Sequence, residues 1–311
     1  MISFSVIVPT CHRNDDLERC LKRLQVVNPT KLGLGDSAAL IVGRQRFQYE
    51  VIVTDDGTQT TAEGLVRETF PWVKWVKGPH RGPAANRNCG ASQASGDWLV
   101  FIDDDCIPGS GWLRAYALAI LDFPECAVFE GRTVPQGIKT RADQECPINL
   151  KGGYLWSCNF SIKRSLFLEL GGFDDKFSFS LEDMDFKIRL DSGRHPIKFV
   201  SEAQAEHPWR PHRGIRFCIA LAKSIDYFTA KHPSAKKMFA EAWGIKRMIR
   251  IIVFEFPRNL LRHRDTSSFR TLYLDLLTAF HVSLALARQA VRLLGIGILC
   301  TLAGKHEILK R

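Results

Sequence analysis

The sequence predicts an α/β domain built on a doubly wound, mostly parallel sheet, followed by a basic helical region. Three observations lead to this fold class. Apolar runs typical of buried parallel strands alternate with helical patterns over about the first 130 residues. No strand alternation follows Arg213. The net charge of the chain is +10, yet residues 207–311 alone hold 19 Lys and Arg against six Asp and Glu, a net charge of +13.

The first elements follow from their local patterns. Phe4–Val8 is continuously apolar and Pro9 follows it, which predicts a buried first strand. Leucines recur at helical spacing over residues 17–24 and predict the first helix. Residues 26–48 contain one proline and three glycines, so we expect a loop or an insertion there.

The rest of the α/β region is predicted in the same way. Proline at the first position favours a helix start, so Arg81-Gly82-Pro83 predicts a helix opening at residue 83. We expect a helix over Leu181–Leu190, beginning near Glu182. The remaining strands are predicted at Val51–Thr54, Trp72–Val76, Trp98–Ile102 and Trp156–Ile162.

Length and cysteine usage restrict the class of protein further. A chain of 311 residues can form one large α/β domain with an appendage. Its nine cysteines show no paired or zinc-binding spacing, which is typical of free thiols in a reducing compartment. The first residues resemble a strand rather than a signal peptide. We therefore expect a cytoplasmic location.

The most informative segment is an acidic triplet behind an apolar strand. Asp103, Asp104 and Asp105 directly follow the apolar run Leu99–Ile102. Adjacent carboxylates repel one another, and clustered oxygen ligands suit Mg²⁺ or Mn²⁺. In open α/β sheets, ligands bind at the carboxyl ends of the strands. The triplet therefore predicts a metal-assisted site for an anionic group such as a diphosphate; the alternative is an acidic turn in solvent.

Two further carboxylate clusters lie elsewhere in the chain, at 55–56 and at 182–185. Three clusters could separately hold a metal, hold a base or ribose, and accept a proton. That division of roles suits transfer from a nucleotide-activated donor, in which a metal neutralises the diphosphate leaving group.

Together these segments resemble glycosyltransferase family 2, whose members have the GT-A fold. The resemblance covers about residues 3–212 and rests on six segments in the family's order. They are Val6–Thr10 with Arg13, Val51–Gly57, Gly82–Gly90, Phe101–Asp105, Gly171–Asp174, and Glu182–Asp185 with Arg189. The resemblance implies a nucleotide-sugar-binding half over 1–130, an acceptor-binding and catalytic half over 131–212, and a separate helical region over 213–311.

The resemblance also implies residues for the nucleotide-sugar donor. Pro9 and Thr10 would line the nucleotide pocket together with Arg13. Asp56 would accept a hydrogen bond from the uracil imide, and Arg87 would approach the base or the diphosphate. Uridine is the expected nucleotide on this ground alone.

The metal and the catalytic base are implied in the same way. Asp103 and Asp104 would contact the donor, with Asp104 on the ribose, while Asp105 would bind Mn²⁺ or Mg²⁺ directly. His207 stands where some relatives place a histidine near the metal; the alternative is an ordinary surface histidine. Asp183 would be the general base, and one base opposite the leaving group predicts inversion at the anomeric carbon.

Two departures from the family pattern refine this expectation. Glu182 is expected to be structural, holding a turn or capping a helix. No Gln-x-x-Arg-Trp element follows Glu182-Asp183, whereas processive polysaccharide synthases of the family carry one. The sequence therefore favours transfer of a single sugar.

Three other functions fit the sequence less well. A haloacid-dehalogenase-type phosphatase would need an aspartate nucleophile where this chain has Thr54. A nucleotidyltransferase would show a glycine-rich basic loop after the first strand, and residues 10–16 lack one. A non-catalytic sugar-binding or scaffold protein would not need both a metal cluster and a separate base.

The basic C-terminal region has two interpretations. Residues 243–262 mix apolar and basic side chains as an interfacial amphipathic helix does. This pattern predicts attachment to an anionic membrane surface. The expected acceptor is a sugar or a lipid-linked sugar. The alternative is a soluble helical subdomain that packs on the catalytic core. The apolar run 293–303 is only 11 residues long, too short for an ordinary membrane span. No recognised nucleic-acid-binding module is present, so nucleic acid is not expected as a partner.

Overall fold

The structure is a computed structural model that describes residues 2–26, 40–42, 45–177, 179–211, 214–243, 245–263, 266–284 and 286–287. Backbone contacts divide the chain into two units. The first unit comprises Met1–Ile138 and Glu145–Arg210, and the second comprises Lys139–Gln144 and Pro211–Arg311. Residue 130, the boundary expected between the two halves of the α/β region, lies inside a strand of the first unit.

The first unit alternates strands and helices. Its strands are β1 (Ile2–Thr10), β2 (Leu40–Val42), β3 (Gln45–Asp55), β4 (Lys74–Lys77), β5 (Trp98–Ile102), β6 (Ile107–Pro108), β7 (Val128–Gln136), β9 (Asn159–Lys163) and β10 (Ile197–Pro208). Its helices are α1 (Asn14–Val26), α2 (Glu63–Thr69), α3 (Pro83–Ser92), α4 (Trp112–Asp122), α5 (Arg164–Glu169) and α6 (Glu182–Ser192). The two-residue strands β8 (Gln144–Glu145) and β11 (Arg210–Pro211) lie at the boundaries of the units.

The strands form one mixed, mostly parallel sheet in the order β2-β3-β1-β5-β9-β7-β10-β6, with β4 paired to β3. The central strands β3, β1 and β5 are parallel neighbours, while β9 runs antiparallel to both β5 and β7. Thr10 is in register with Asp55, and Ile7 is in register with Phe101. The ends of β1, β3 and β5 therefore meet at one edge of the sheet, as the sequence predicted for an α/β fold.

Both faces of the sheet are buried, which explains why its central strands are continuously apolar. Side chains alternate between the faces along each strand. Val6 and Val8 enter one apolar cluster, and Ile7 enters the other. The second cluster contains the phenylalanines Phe101, Phe160, Phe167, Phe173 and Phe186, whose rings pack against one another. Phe186 belongs to α6, so this aromatic cluster fixes the helix that carries Asp183.

The expectation of a loop over 26–48 is wrong in its last part. Leu40–Val42 and Gln45–Gln48 belong to an antiparallel pair at the edge of the sheet. Phe47 is 2% exposed and stacks on Phe4 of β1, whereas its neighbours in sequence are polar, which hid the strand pattern. Residues 27–39 of the expected insertion lie outside the described residues.

Two predicted strands begin later in the chain than expected. The strand expected from Trp72 starts at Lys74, and the strand expected from Trp156 starts at Asn159. In both places the apolar signal came from tryptophans in the preceding turn. The helix predicted at 181–190 is confirmed as α6, and the helix predicted to open at Pro83 is confirmed as α3.

From residue 215 onward the described residues of the second unit are mainly helical, as predicted. It contains α7 (Ile215–Lys231), a 3₁₀ turn (Pro233–Ala235), α8 (Lys236–Trp243), α9 (Ile245–Arg250), a π-helical turn (Ile251–Glu255), α10 (Phe256–His263) and a further helix over 267–284. Among the described residues, no helix combines the length and apolar character that a membrane crossing requires. The apolar run 293–303 lies outside the described residues.

Candidate active site

The ends of the central strands are joined by side chains. Pro9 and Thr10 end β1, and the Thr10 hydroxyl donates a hydrogen bond of 2.7 Å to Asp104 Oδ2. The carbonyl oxygen of Thr10 accepts bonds from the Asp56 amide at 2.9 Å and from Asn86 Nδ2 at 3.2 Å. Residues from β1, β3, α3 and the end of β5 are therefore held in one polar network.

Asp56 is held by backbone amides at the start of α3. Its two carboxylate oxygens accept hydrogen bonds from the amides of His80, at 2.9 Å, and Gly82, at 3.1 Å. An added Cβ at Gly78 would collide with Asp56 Oδ1, so only glycine fits there. Asp56 is 8% exposed, and its orientation is fixed by the backbone around it.

Arginines balance the charge of the acidic triplet. Asp104 and Asp105 are 1% and 4% exposed. Arg13 Nη1 lies 3.1 Å from Asp104 Oδ1 and 2.9 Å from Asp105 Oδ2. Arg210 Nε lies 3.1 Å from the same oxygen of Asp105. The repulsion expected among the three acids is thus relieved by the chain itself, and their clustering alone does not establish a metal.

Burial also changes the pKa of Asp104. The loss of solvent raises its pKa, the guanidinium of Arg13 lowers it, and Asp105 raises it again, so that the pKa reaches about 7. The pKa of Arg13 is raised, because the attraction of Asp104 and Asp105 outweighs its own burial. The triplet and its arginines therefore behave as one coupled group of charges.

Arg87 connects the triplet to α6. Its guanidinium is 4% exposed and donates to Asp103 Oδ1 at 2.6 Å and to Glu182 Oε1 at 3.0 Å. Burial alone would lower the pKa of Arg87, but the two carboxylates more than offset it and the pKa is raised. Glu182 pairs with Arg87 and does not cap α6, whose N-cap residue is Leu181, so through Arg87 it joins α6 to Asp103 at the end of β5.

Asp183 is the second residue of α6, and its carboxylate is half-buried. Burial and the adjacent Glu182 raise its pKa to about 7, against the lowering effect of the Met184 amide, Arg87 and the Ser157 amide. The Met184 amide donates to Asp183 Oδ1 at 2.8 Å. A carboxylate with this pKa is suited to accept a proton near neutral pH. The preceding Leu181 has φ +77°, a strained conformation that the surrounding packing must hold.

His207 lies beside Asp105 and is 8% exposed, so the alternative of an ordinary surface histidine is wrong. Its Nδ1 is 2.8 Å from the Pro208 carbonyl oxygen, which can only accept, so Nδ1 carries the proton. Its Nε2 lies 3.5 Å from Asp105 Oδ1. Ligand atoms of Asp105, Cys106 and His207 all lie within 4.8 Å of one another. Asp105 and His207 offer donors that a divalent cation can use, whereas the Cys106 thiol, whose pKa is raised by Cys158 and by burial, is a soft donor unsuited to Mg²⁺ or Mn²⁺.

Two functional residues were missed at the level of sequence. Arg210, which contacts both Asp105 and Asp16, follows His207 by three residues in β11 and could have been suspected from that spacing. Glu130, in β7, is 1% exposed. It accepts hydrogen bonds from the amides of Gly153 at 2.6 Å, Tyr154 at 2.8 Å and Leu155. Those amides lie 23 to 25 residues further along the chain, so no local sequence pattern could predict these hydrogen bonds.

Glu130 thereby anchors the loop 149–157, which precedes β9. The Ser157 amide of this loop lowers the pKa of Asp183. The loop also presents two stacked aromatic rings, Tyr154 and Trp156, with centroids 5.4 Å apart and planes 5° apart. Tyr154 is 55% exposed. An exposed aromatic surface thus belongs to the same loop whose Ser157 amide lowers the pKa of the candidate base.

The phosphatase alternative is not supported by this geometry. Thr54 stands where such an enzyme needs its aspartate nucleophile, and it is fully buried in β3. Its carbonyl oxygen accepts a bond of 2.9 Å from Asn86 Nδ2. This position is part of the packed sheet.

Comparison with known proteins gives a consistent set of relatives. The family model described as glycosyl transferase family 2 matches residues 5–183. The succinoglycan biosynthesis protein ExoM of Rhizobium meliloti is 29% identical over 185 residues, covering 53% of this chain and 58% of ExoM. An uncharacterized glycosyltransferase of Haemophilus influenzae is 30% identical over 202 residues, covering 60% of this chain and 61% of that protein. The matches thus span about three-fifths of the length of these relatives.

Solved structures show the same fold. Residues 1–349 of TarS from S. aureus match with a TM-score of 0.55 at 16% identity, covering 93% of this chain and 92% of TarS 1–349. The structure of TarS 1–349 in complex with UDP-GlcNAc matches with a TM-score of 0.56 at 15% identity and the same coverage of 93% and 92%. At this level of identity the likeness concerns the fold.

Proposed function

Because the family model covers more than half of the chain, this protein belongs to glycosyltransferase family 2, and we propose that it transfers a single sugar from a nucleotide-diphosphate sugar to an acceptor hydroxyl with inversion. The observation that carries this proposal is Asp183, a carboxylate with a pKa of about 7. Glu182 and Arg87 connect it to the acidic edge of the sheet.

The donor is proposed to bind at the ends of β1, β3 and β5. Pro9 and Thr10 line the nucleotide pocket, and Asp56 accepts a hydrogen bond from the base. Arg13 and Arg210 are 40% and 36% exposed and lie beside Asp105, so their guanidinium groups are available to the diphosphate oxygens. TarS, which shares the fold, was solved with UDP-GlcNAc, and this supports a uridine nucleotide here.

Asp105 and His207 are the residues proposed to hold Mn²⁺ or Mg²⁺, with Cys106 adjacent. Such a cation neutralises the charge of a diphosphate leaving group when it is bound. Asp103 and Asp104 are proposed to face the donor, with Asp104 contacting the ribose. Thr10 and Arg13 keep Asp104 in place, while Arg87 keeps Asp103 in place.

Asp183 is proposed to accept the proton of the acceptor hydroxyl. As the acceptor oxygen forms its bond to the anomeric carbon, the bond from that carbon to the diphosphate oxygen breaks and the proton passes to the carboxylate. The Met184 amide, which donates to Asp183 Oδ1, helps to fix the orientation of this carboxylate. A single base on the face opposite the leaving group inverts the configuration. The rings of Tyr154 and Trp156 are suited to pack against the apolar face of an acceptor sugar.

Asp56 gives a test of the donor site. We expect Asp56→Ala to raise the KM for the UDP-sugar at least tenfold with little change in kcat, because the residue contacts the base and not the reacting atoms. The measurement is steady-state release of UDP. Since Asp56 also accepts two backbone amides, thermal unfolding of the variant serves as the control for folding. A KM equal to that of the wild type would show that the base binds elsewhere.

The second unit is proposed to attach the enzyme to an anionic membrane surface, at the cytoplasmic face, where a lipid-linked acceptor would be found. Its described residues expose a run of large apolar side chains: Ile249, Ile252, Val253, Phe254 and Leu261 are 48–75% exposed. The basic side chains of Arg258 and Arg262 are exposed on α10. Apolar insertion combined with basic charge is the pattern of an interfacial helix.

Liposome flotation tests this attachment. We expect binding that rises with the content of anionic lipid and falls with salt, since each basic residue near the surface contributes about 1 kcal/mol. Phe254→Ser combined with Leu261→Ser should release the protein, and so should Arg258→Glu combined with Arg262→Glu. The matched control is Ile138→Ser, which removes an 83% exposed apolar side chain from the first unit. Equal flotation of all variants would show that other residues attach the protein, and no flotation of the wild type at low salt would favour a soluble helical subdomain.

A further inference from the structure

A cavity of about 460 Å³ lies in the first unit, outside the donor site. Its walls are the second half of α6, the turn that follows α6, the first residues of β10 and the loop 149–157. Four basic side chains line it, namely Lys151, Lys187, Arg194 and His195, together with the acidic side chains of Glu130 and Asp191 and the ring of Phe199. None of these residues was assigned a role by the sequence.

The cavity shares its structural supports with Asp183. Lys187 follows Asp183 by four residues on α6, one helical turn or about 6 Å along the axis. Lys151 belongs to the loop 149–157, whose Ser157 amide lowers the pKa of Asp183. Glu130, which anchors that loop, also lines the cavity. A group bound in the cavity would therefore be held by the same helix and loop that hold the proposed base.

The balance of charge in the cavity is positive. Lys187 Nζ is paired with Asp191 Oδ2 at 2.7 Å. The carboxylate of Glu130 is occupied by three backbone amides and by Asn149 Nδ2, at 2.7 Å. Within the part of the chain that the structure describes, the side chains of Lys151 and Arg194 form no hydrogen bond or ion pair. Two cationic groups thus remain available to a ligand.

The cavity also has an apolar wall. Gly152 has φ +84°, and an added Cβ would lie 2.9 Å from Phe199 Cβ, so glycine is required for the loop to approach β10 this closely. Next to it, an added Cβ at Gly153 would meet nothing within 4 Å. An apolar ring in the same cavity as cationic side chains is suited to a sugar that carries a charged substituent.

We propose that this cavity binds an anionic substituent, a phosphate or a carboxylate, of the acceptor glycan. This inference rests on the proposed function, because it names the acceptor class for the site of Asp183. Lys151 and Arg194 supply the charge, and Arg194 offers the paired donors that planar or tetrahedral oxyanions accept. Lys187 of the cavity lies one helical turn from Asp183, and Arg194 follows Asp183 by 11 residues, so the bound substituent would be separated from the acceptor hydroxyl by up to about 16 Å.

Calorimetric titration of the whole protein, saturated with UDP to block the donor site, tests this proposal. The probes are glucose 6-phosphate and glucuronate, with methyl glucoside as the neutral probe and inorganic phosphate as the free anion. We expect the two anionic sugars to bind at least tenfold more tightly than methyl glucoside. Lys151→Gln combined with Arg194→Gln should weaken their binding at least tenfold, because charge-assisted hydrogen bonds are lost.

The control removes the same charge elsewhere. Arg114→Gln combined with Lys163→Gln changes two exposed cations outside this cavity, and binding should stay as in the wild type. Equal binding of charged and neutral sugars, or no effect of the cavity variant, would overturn the proposal. Inorganic phosphate that binds as tightly as glucose 6-phosphate would show a site for free anions and would overturn the assignment to the acceptor.

A separate experiment tests the proposed function. Turnover of UDP-sugars by the wild-type enzyme tests the transferase chemistry without any acceptor sugar. Absence of that turnover would count against the transferase proposal, whereas the titrations above report on the cavity by itself. The two outcomes are thus distinguishable.

Discussion

Asp183→Asn should lower kcat by about 10²–10⁴, the usual contribution of a general base, while the KM for the donor changes little. The substitution keeps the shape of the side chain and removes its ability to accept a proton. Because the pKa of Asp183 is about 7, the wild-type kcat should fall about tenfold per pH unit below that value, as the carboxylate becomes protonated and can no longer act as a base. The Asp183→Asn variant should lack this fall of kcat at low pH, the acidic limb of the profile.

The measurement is the pH profile of kcat for sugar transfer or donor hydrolysis. Glu169→Gln is the matched control, since it neutralises an exposed carboxylate on the neighbouring helix α5. It should leave both kcat and the acidic limb unchanged. Near-wild-type activity of Asp183→Asn would mean that another group accepts the proton.

Asp105→Asn should abolish metal-dependent transfer, with a loss of at least 10³-fold in kcat. Asparagine keeps the shape but weakens the ligand for a divalent cation. It also leaves Arg13 and Arg210, which both contact Asp105 Oδ2, with less negative charge to balance them. His207→Ala should instead raise the Mn²⁺ concentration needed for half-maximal activity.

Activity in the presence of a chelator provides the complementary measurement. The wild type should lose its turnover when divalent ions are removed and regain it when Mn²⁺ is returned. Thermal unfolding of the Asp105→Asn protein checks that the fold survives. Full wild-type turnover in excess chelator would remove the metal from the proposal and would leave Arg13 and Arg210 as the groups that neutralise the diphosphate.

The sequence predicted those helices and strands that depend on local residue patterns. The apolar run that precedes Asp103 became β5, because a strand buried on both faces needs no polar alternation. Acidic residues in a first helical turn predicted the start of α6. The phenylalanines that fix α6 against the sheet could be seen in the sequence, but their mutual packing could not.

The rest depended on contacts between distant parts of the chain. The buried carboxylate of Glu130 is stabilised by amides more than 20 residues away, and Arg210 reaches Asp105 across 105 residues. The pKa of Asp183 reflects burial by several elements, so residue type alone could not give it. The inference of a metal from repulsion within the acidic triplet was weakened for the same reason. Arg13 and Arg210, which are distant in sequence, already balance the negative charge of the triplet.

The anomeric configuration of the sugar first released from an α-linked UDP-sugar tests the central claim most directly. A panel of UDP-sugars is incubated with the wild-type enzyme and Mn²⁺ in the absence of acceptor, and the first-formed anomer is recorded by proton NMR. A single base opposite the leaving group predicts that a member of the panel is hydrolysed and that the β anomer appears first. Release of the α anomer first, or no turnover of any UDP-sugar, would contradict the account.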